Sequence, residues 1–118
     1  MHKLVRVVGR FASAVDGTPI GGPAYRARLF DKDPLSDDLL SEAVPAPDGS
    51  VGFTFDLSEA SSADSPGEVA PDLYVVLLRD GQPAFRSDVI PNVSFFGRHP
   101  VTGMEIEFTH DLGVLRVG

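Results

Sequence analysis

The sequence has no cysteine and no tryptophan, and only two methionines and two tyrosines. Without a thiol there is no disulfide framework, no thiolate nucleophile and no Cys-ligated zinc or iron–sulfur site. Long apolar runs are missing as well. Nothing approaches the about 18 consecutive apolar residues of a membrane-crossing helix, so no transmembrane segment is expected. Met1-His2-Lys3-Leu4 leads straight into a strand-like pattern with no apolar signal core, which predicts a soluble chain. That reading places it in the cytoplasm if Met1 is the native start, and in an extracellular or periplasmic compartment if the chain is a processed domain. Apolar periodicity of 3.6 residues is not sustained anywhere, which argues against helices. Gly-x-Ser-x-Gly, Walker and Rossmann patterns do not occur, so nucleophilic catalysis and nucleotide cradles have no support.

Basic residues are scarce where acids are dense. The chain of 118 residues carries 10 Lys plus Arg against 17 Asp plus Glu, a net charge of −7. Residues 31–72 hold eleven of those acids and one base, Lys32, so this segment is −10 and the remainder +3. An acidic third repels phosphates, which excludes a generic nucleic-acid binder. The length suits one domain over residues 1–118, able to bury roughly two-thirds of its unfolded surface. Hydrophobic content of 42% and charged content of 23% belong to an ordinary globular chain.

What the sequence does have is alternation at period two. Val51, Phe53, Phe55 and Leu57 point one way while Gly52, Thr54 and Asp56 point the other. Met104, Ile106 and Phe108 alternate with Glu105, Glu107 and Thr109 in the same manner. Leu73-Tyr74-Val75-Val76-Leu77-Leu78 is apolar on both faces, as a strand near the middle of a sheet should be. Asp16-Gly17, Asp48-Gly49 and Asp80-Gly81 supply tight turns between such runs. The pattern predicts strands near 3–11, 23–31, 40–46, 51–57, 72–79, 83–89, 101–110 and 113–117. Seven to eight short strands with ten prolines at their joints define an all-β chain, an antiparallel β-sandwich of two sheets. Arg26 and Arg28, two apart on one face, are expected to pair with sheet acids such as Glu105 and Glu107.

Several of these elements occur in a familiar order. Gly17 to Pro19, Leu29 to Leu40, Asp48 to Phe55 and Pro71 to Tyr74 together resemble the transthyretin-like (prealbumin-like) proteins, in particular the secreted nematode type and its bacterial relatives. The resemblance covers roughly residues 4–80, with a plausible end at Asp111-Leu112-Gly113. It implies a sandwich of two four-stranded sheets, and it implies no single function, because the fold hosts carriers, a hydrolase and binding modules. Hydroxyisourate hydrolases are similar in fold but carry a first-strand histidine and end in Tyr-Arg-Gly-Ser. Here Leu4 to Phe11 holds no histidine and the chain ends Val114-Leu115-Arg116-Val117-Gly118. No catalytic residue is therefore carried over, the expectation is a non-enzyme, and a small-substrate hydrolase stays a remote alternative.

The acidic loop is the sharpest candidate site. Asp31, Asp33, Asp37 and Asp38 fall within eight residues, just after Leu29-Phe30. Ca²⁺ takes six to eight oxygen ligands, and loops supply them with clustered carboxylates. An EF-hand is excluded by Leu35 and Ser36 at positions needing a ligand and a glycine. A closer likeness is the calcium loop of C2 domains, where Asp-x-Asp and a later Asp precede an apolar strand, as Asp38-Leu39-Leu40 does here. Antiparallel topology sends the loops at 31–40, 58–71 and 90–100 to one end, bringing Glu68 and Asp72 toward the aspartates. Asp31, Asp33, Asp37, Asp38 and Asp72 are thus candidate Ca²⁺ ligands, and no other cofactor is indicated. The alternative is that these acids only make Asx turns and keep a loop solvated. Phe95 and Phe96 share that end, either as an exposed docking pair beside Glu68 or as an anchor folded onto the core. His2, His99 and His110 lack metal-ligand spacing. The expected partner is another protein or a second copy, with peripheral membrane contact only under the Ca²⁺ reading.

Overall fold

The computed structural model describes residues 4–33, 36–57, 71–98, 100–107 and 109–118. Alternating side chains build the strands: in β1 (Leu4–Ser13) Val5, Val7 and Phe11 face inward while Leu4, Arg6 and Arg10 face solvent. The same two-residue period shapes β2 (Tyr25–Asp31) and β4 (Ser50–Asp56), while in β3 (Asp38–Ala43) a register shift against β2 interrupts it. Then follow β5 (Leu73–Arg79), β6 (Gln82–Arg86), β7 (Phe96–Arg98), β8 (Glu105–Glu107) and β9 (His110–Val117). One sheet has the order β4-β1-β9, the other β3-β2-β5-β6, and β7 with β8 makes a two-stranded ribbon. Among the described residues there is no α-helix.

The two sheets face each other across one apolar core. Val5, Val7, Phe11, Val51, Phe53 and Phe55 from the first meet Ala27, Leu29, Leu73, Val75 and Leu77 from the second. An all-β sandwich is thus what the alternation forms. Three details depart from the sequence expectation. The β1/β9 pair is parallel, against an otherwise antiparallel set, and the first sheet has three strands rather than four. The expected strand over 101–110 is divided, because β8 pairs with β7 while His110 already belongs to β9.

Turn chemistry holds where it was read. Gly49 adopts φ 88°, and a Cβ there would lie 2.2 Å from the Phe11 carbonyl oxygen, so only glycine fits. Asp80 and Gly81 both take positive φ, as a tight hairpin between β5 and β6 requires. The Asp48 carboxylate accepts the Ser50 hydroxyl and N–H, and the Asp16 carboxylate the Thr18 N–H and hydroxyl, in Asx turns that hold both carboxyls below the usual range.

Candidate functional site

The end of the sandwich opposite the Asp48-Gly49 turn is built where β2 stops and β5 starts. Asp31 lies opposite Leu73 on β5 and Asp38 on β3. Just beyond, the Lys32 N–H donates to the Asp72 carbonyl (2.7 Å), and the Val93 N–H to the Pro71 carbonyl (2.9 Å). The Asn92 N–H donates to Asp72 Oδ1 at 2.9 Å. Residues 31–33, 71–73 and 90–93 therefore meet, with Asp38 beside them.

Asp31 is the one buried charged residue among those described, 8% exposed. The alternation that turns Ala27 and Leu29 inward turns Asp31 inward too. Burial, with Asp38, Asp33 and Asp72 as like-charged neighbours, pushes its carboxyl up to about 6, against a hydrogen bond from the Asp72 backbone. Asp37 has the opposite environment. The Tyr74 hydroxyl donates to its Oδ2 (2.5 Å) and the Asp33 N–H to its Oδ1 (3.1 Å), with the Lys32 ammonium 3.6 Å away. These contacts hold the Asp37 carboxyl below its ordinary range.

The predicted site residues thus separate. Asp31, Asp33, Asp38 and Asp72 share one electrostatic neighbourhood, whereas Asp37 is engaged by Tyr74 and Lys32. Among the described residues no group of three or more metal-type side chains already stands in ligating geometry. Phe95 is fully buried, edge-on to Phe55 at 5.8 Å and to His110 at 6.4 Å. It belongs to the core and offers a partner no surface, so for Phe95 the docking reading is corrected and the core-anchor alternative holds. Phe96 begins β7. Glu68, His2 and His99 lie outside the described residues.

Two arrangements were not legible beforehand. On the outer face of the four-stranded sheet Tyr74 stacks on Phe30 (5.1 Å, 12°), and the Arg86 guanidinium caps its ring at 4.4 Å. Arg26 and Arg28 pair with Glu42, at 2.9 and 2.7 Å, because Arg28 lies directly opposite it in the β2/β3 register. That removes Glu42 from the acidic end. The outer face of the other sheet carries an open groove of about 460 Å³ bordered by Arg6, Arg10, Asp111 and Val114. Beside it runs β9, bonded to β1 along one side and, among the described residues, to no strand on the other.

These features define an all-β sandwich with an acidic end and an open sheet edge. No family model matches the chain, and no curated protein matches it. A solved 9R-lipoxygenase from Cyanothece PCC8801 is similar in structure, with a TM-score of 0.60 and 19% identity. The likeness covers 97% of this chain and 16% of that one. At such identity it shows the fold alone.

Proposed function

We propose that this chain is a non-catalytic, transthyretin-like binding or assembly module that engages a protein partner through an open sheet edge or its acidic end. The observation that carries this reading is β9, eight residues long, with one side unpaired among the described residues. A free row of backbone N–H and C=O groups is a template for another strand. Val114 stands 50% exposed in the middle of it. Placing a charge there, Val114→Lys, leaves the core untouched and should abolish capture of a partner from native lysate while leaving the melting temperature within about 2 °C. A strict monomer at high concentration that also captures nothing overturns the reading.

A second reading, a Ca²⁺-dependent C2-like module docking on a protein or membrane surface, is favoured by one observation. Asp31 is buried among Asp33, Asp38 and Asp72, a repulsive arrangement that a divalent cation relieves. A thermal titration with Ca²⁺ tests it, with Asp33→Ala as control. An unmoved midpoint in both chains sinks it.

A further inference from the structure

Of the sheet edges that the described residues leave open, β9 is the longest, at eight residues. The β6 edge is five residues long and interrupted by Pro83, and the β3 edge is bulged and begins with the charged Asp38. The β4 strand has β3 beside it at the corner of the sandwich. β9 contains neither proline nor lysine; it does carry a bulge, Asp111 and Arg116, and these restrict which strand can pair with it.

Its side-chain pattern has an unusual symmetry. His110, Leu112, Leu115 and Val117 are half-buried, while Asp111, Gly113, Val114 and Arg116 are exposed, so the order reads the same in both directions. The cause is the irregularity opposite Gly9: Val8 pairs with Asp111 but Arg10 with Val114, and Gly113 takes φ 73°. In a regular strand, antiparallel pairing about a point between two residues sets an outward side chain against an inward one. The bulge shifts the alternation by one residue and removes that conflict.

We infer that β9 pairs antiparallel with the β9 of a second copy of this chain, about a two-fold axis between Gly113 and Val114. This rests on the assembly-module reading and names its partner. In that register Asp111 of one copy lies opposite Arg116 of the other, twice over, and Leu112 lies opposite Leu115. Both charged residues are exposed, and both leucines already pack partly against the core, so pairing extends each core across the junction. Asp111 uses Oδ1 to accept the Gly113 N–H at 2.8 Å, and a carboxylate has a second oxygen for an arginine. Opposite charges across strands favour this register, and like charges in a slipped one oppose it. One strand pair is a small interface, so the dimer is reversible.

Sedimentation equilibrium on the whole chain tests the pairing, with Asp111→Arg, Arg116→Glu and an equimolar mixture of the two. The wild type should dimerise with a dissociation constant at or below about 1 mM. Each variant alone, with like charges opposed, should weaken association at least tenfold. The mixture should recover a heterodimer, because every cross-edge charge pair is then opposite in sign. Arg116→Glu leaves the Asp111 turn intact, so it decides the matter with concentration-dependent amide exchange over residues 112–116 if Asp111→Arg fails to fold. A wild type monomeric to about 1 mM overturns the inference, as does a dimer indifferent to Arg116→Glu, or a mixture of folded variants that stays monomeric. A monomeric wild type that still captures a partner dependent on Val114 overturns self-pairing and leaves the module reading standing.

Discussion

At the scale of single residues, Asp31 is where the fold works against itself. An inward-facing position at a strand end that would suit valine holds a carboxyl among like charges. Its ionisation at about 6 in the fold, above the ordinary range of about 4, fixes the sign of the pH dependence. The protonated form is favoured by folding, so the contribution of Asp31 is fully present below about pH 4 and is lost as the pH rises through 6. Asp31→Asn keeps an acceptor for the Asp72 backbone and removes the charge. It should raise stability at pH 7 by about 1 kcal/mol after allowance for screening, and the gain should vanish near pH 4. Chemical denaturation of both chains across pH 4 to 7 checks this, and equal stability at pH 7 refutes the burial argument. Asp37 runs the other way: its lowered carboxyl stabilises above the ordinary carboxylate range, and that support fades as acid titrates it. Tyr74→Phe removes the hydroxyl that causes much of this, so it should destabilise at pH 7 and cost less at pH 3, read from the same denaturation series. The acids were visible in the sequence as a cluster. Which one is buried was not, since it depends on the inward phase of β2 and on the neighbours that β3 and β5 bring.

At the scale of elements, the strongest alternations were readable and the weakest were not. β4 and β5 fall within a residue or so of where alternation and an unbroken apolar run, respectively, put them, because each is held on a core by three inward apolar side chains. β7 is three residues long, too short for a pattern to show, and β8, also three residues, keeps only the middle of the Met104–Thr109 alternation; among the described residues the two pair with one another. Phe95 illustrates the same difficulty in a connection. Two adjacent aromatics in a loop give no sign of which turns inward until Phe55 and His110 are seen to enclose the first. Its role in the fold follows from that enclosure. Phe95→Ala should cost about 3–5 kcal/mol, the range for a fully buried phenylalanine, whereas Val101→Ala, at a residue 85% exposed, should change stability by less than about 0.5 kcal/mol. Urea unfolding curves separate the two, and a Phe95→Ala midpoint close to wild type would return this residue to the surface. The parallel β1/β9 pair had no signature at all, because strand direction is set by how distant segments meet rather than by local alternation.

At the scale of the molecule, the net charge of −7 divides in two ways. Along the chain, residues 31–72 are acidic and the rest mildly basic; in space the acids disperse more than their sequence suggests. Glu42 is tied to Arg26 and Arg28 on a sheet face, and Asp48 lies in the opposite turn with Arg10 3.9 Å away. What stays concentrated is the group around Asp31. A field of like charges and a built cation site respond differently to added ions, and that difference decides between the two readings of the acidic end. Screening acts gradually and without regard to which cation is added, since the Debye length shrinks from about 30 Å at 0.01 M to about 10 Å at 0.1 M salt. A site saturates, and stabilises by about 2.7 kcal/mol once Ca²⁺ reaches a hundredfold excess over its dissociation constant. Sodium chloride should therefore raise the melting midpoint smoothly, and Asp31→Asn should flatten that rise because it removes the charge most affected. If the acidic end is only a solvated cluster, Ca²⁺ at matched ionic strength adds nothing to the sodium curve. If Asp31, Asp33, Asp38 and Asp72 bind the ion, a saturating step appears above that curve, and it disappears in Asp33→Ala while the sodium response remains.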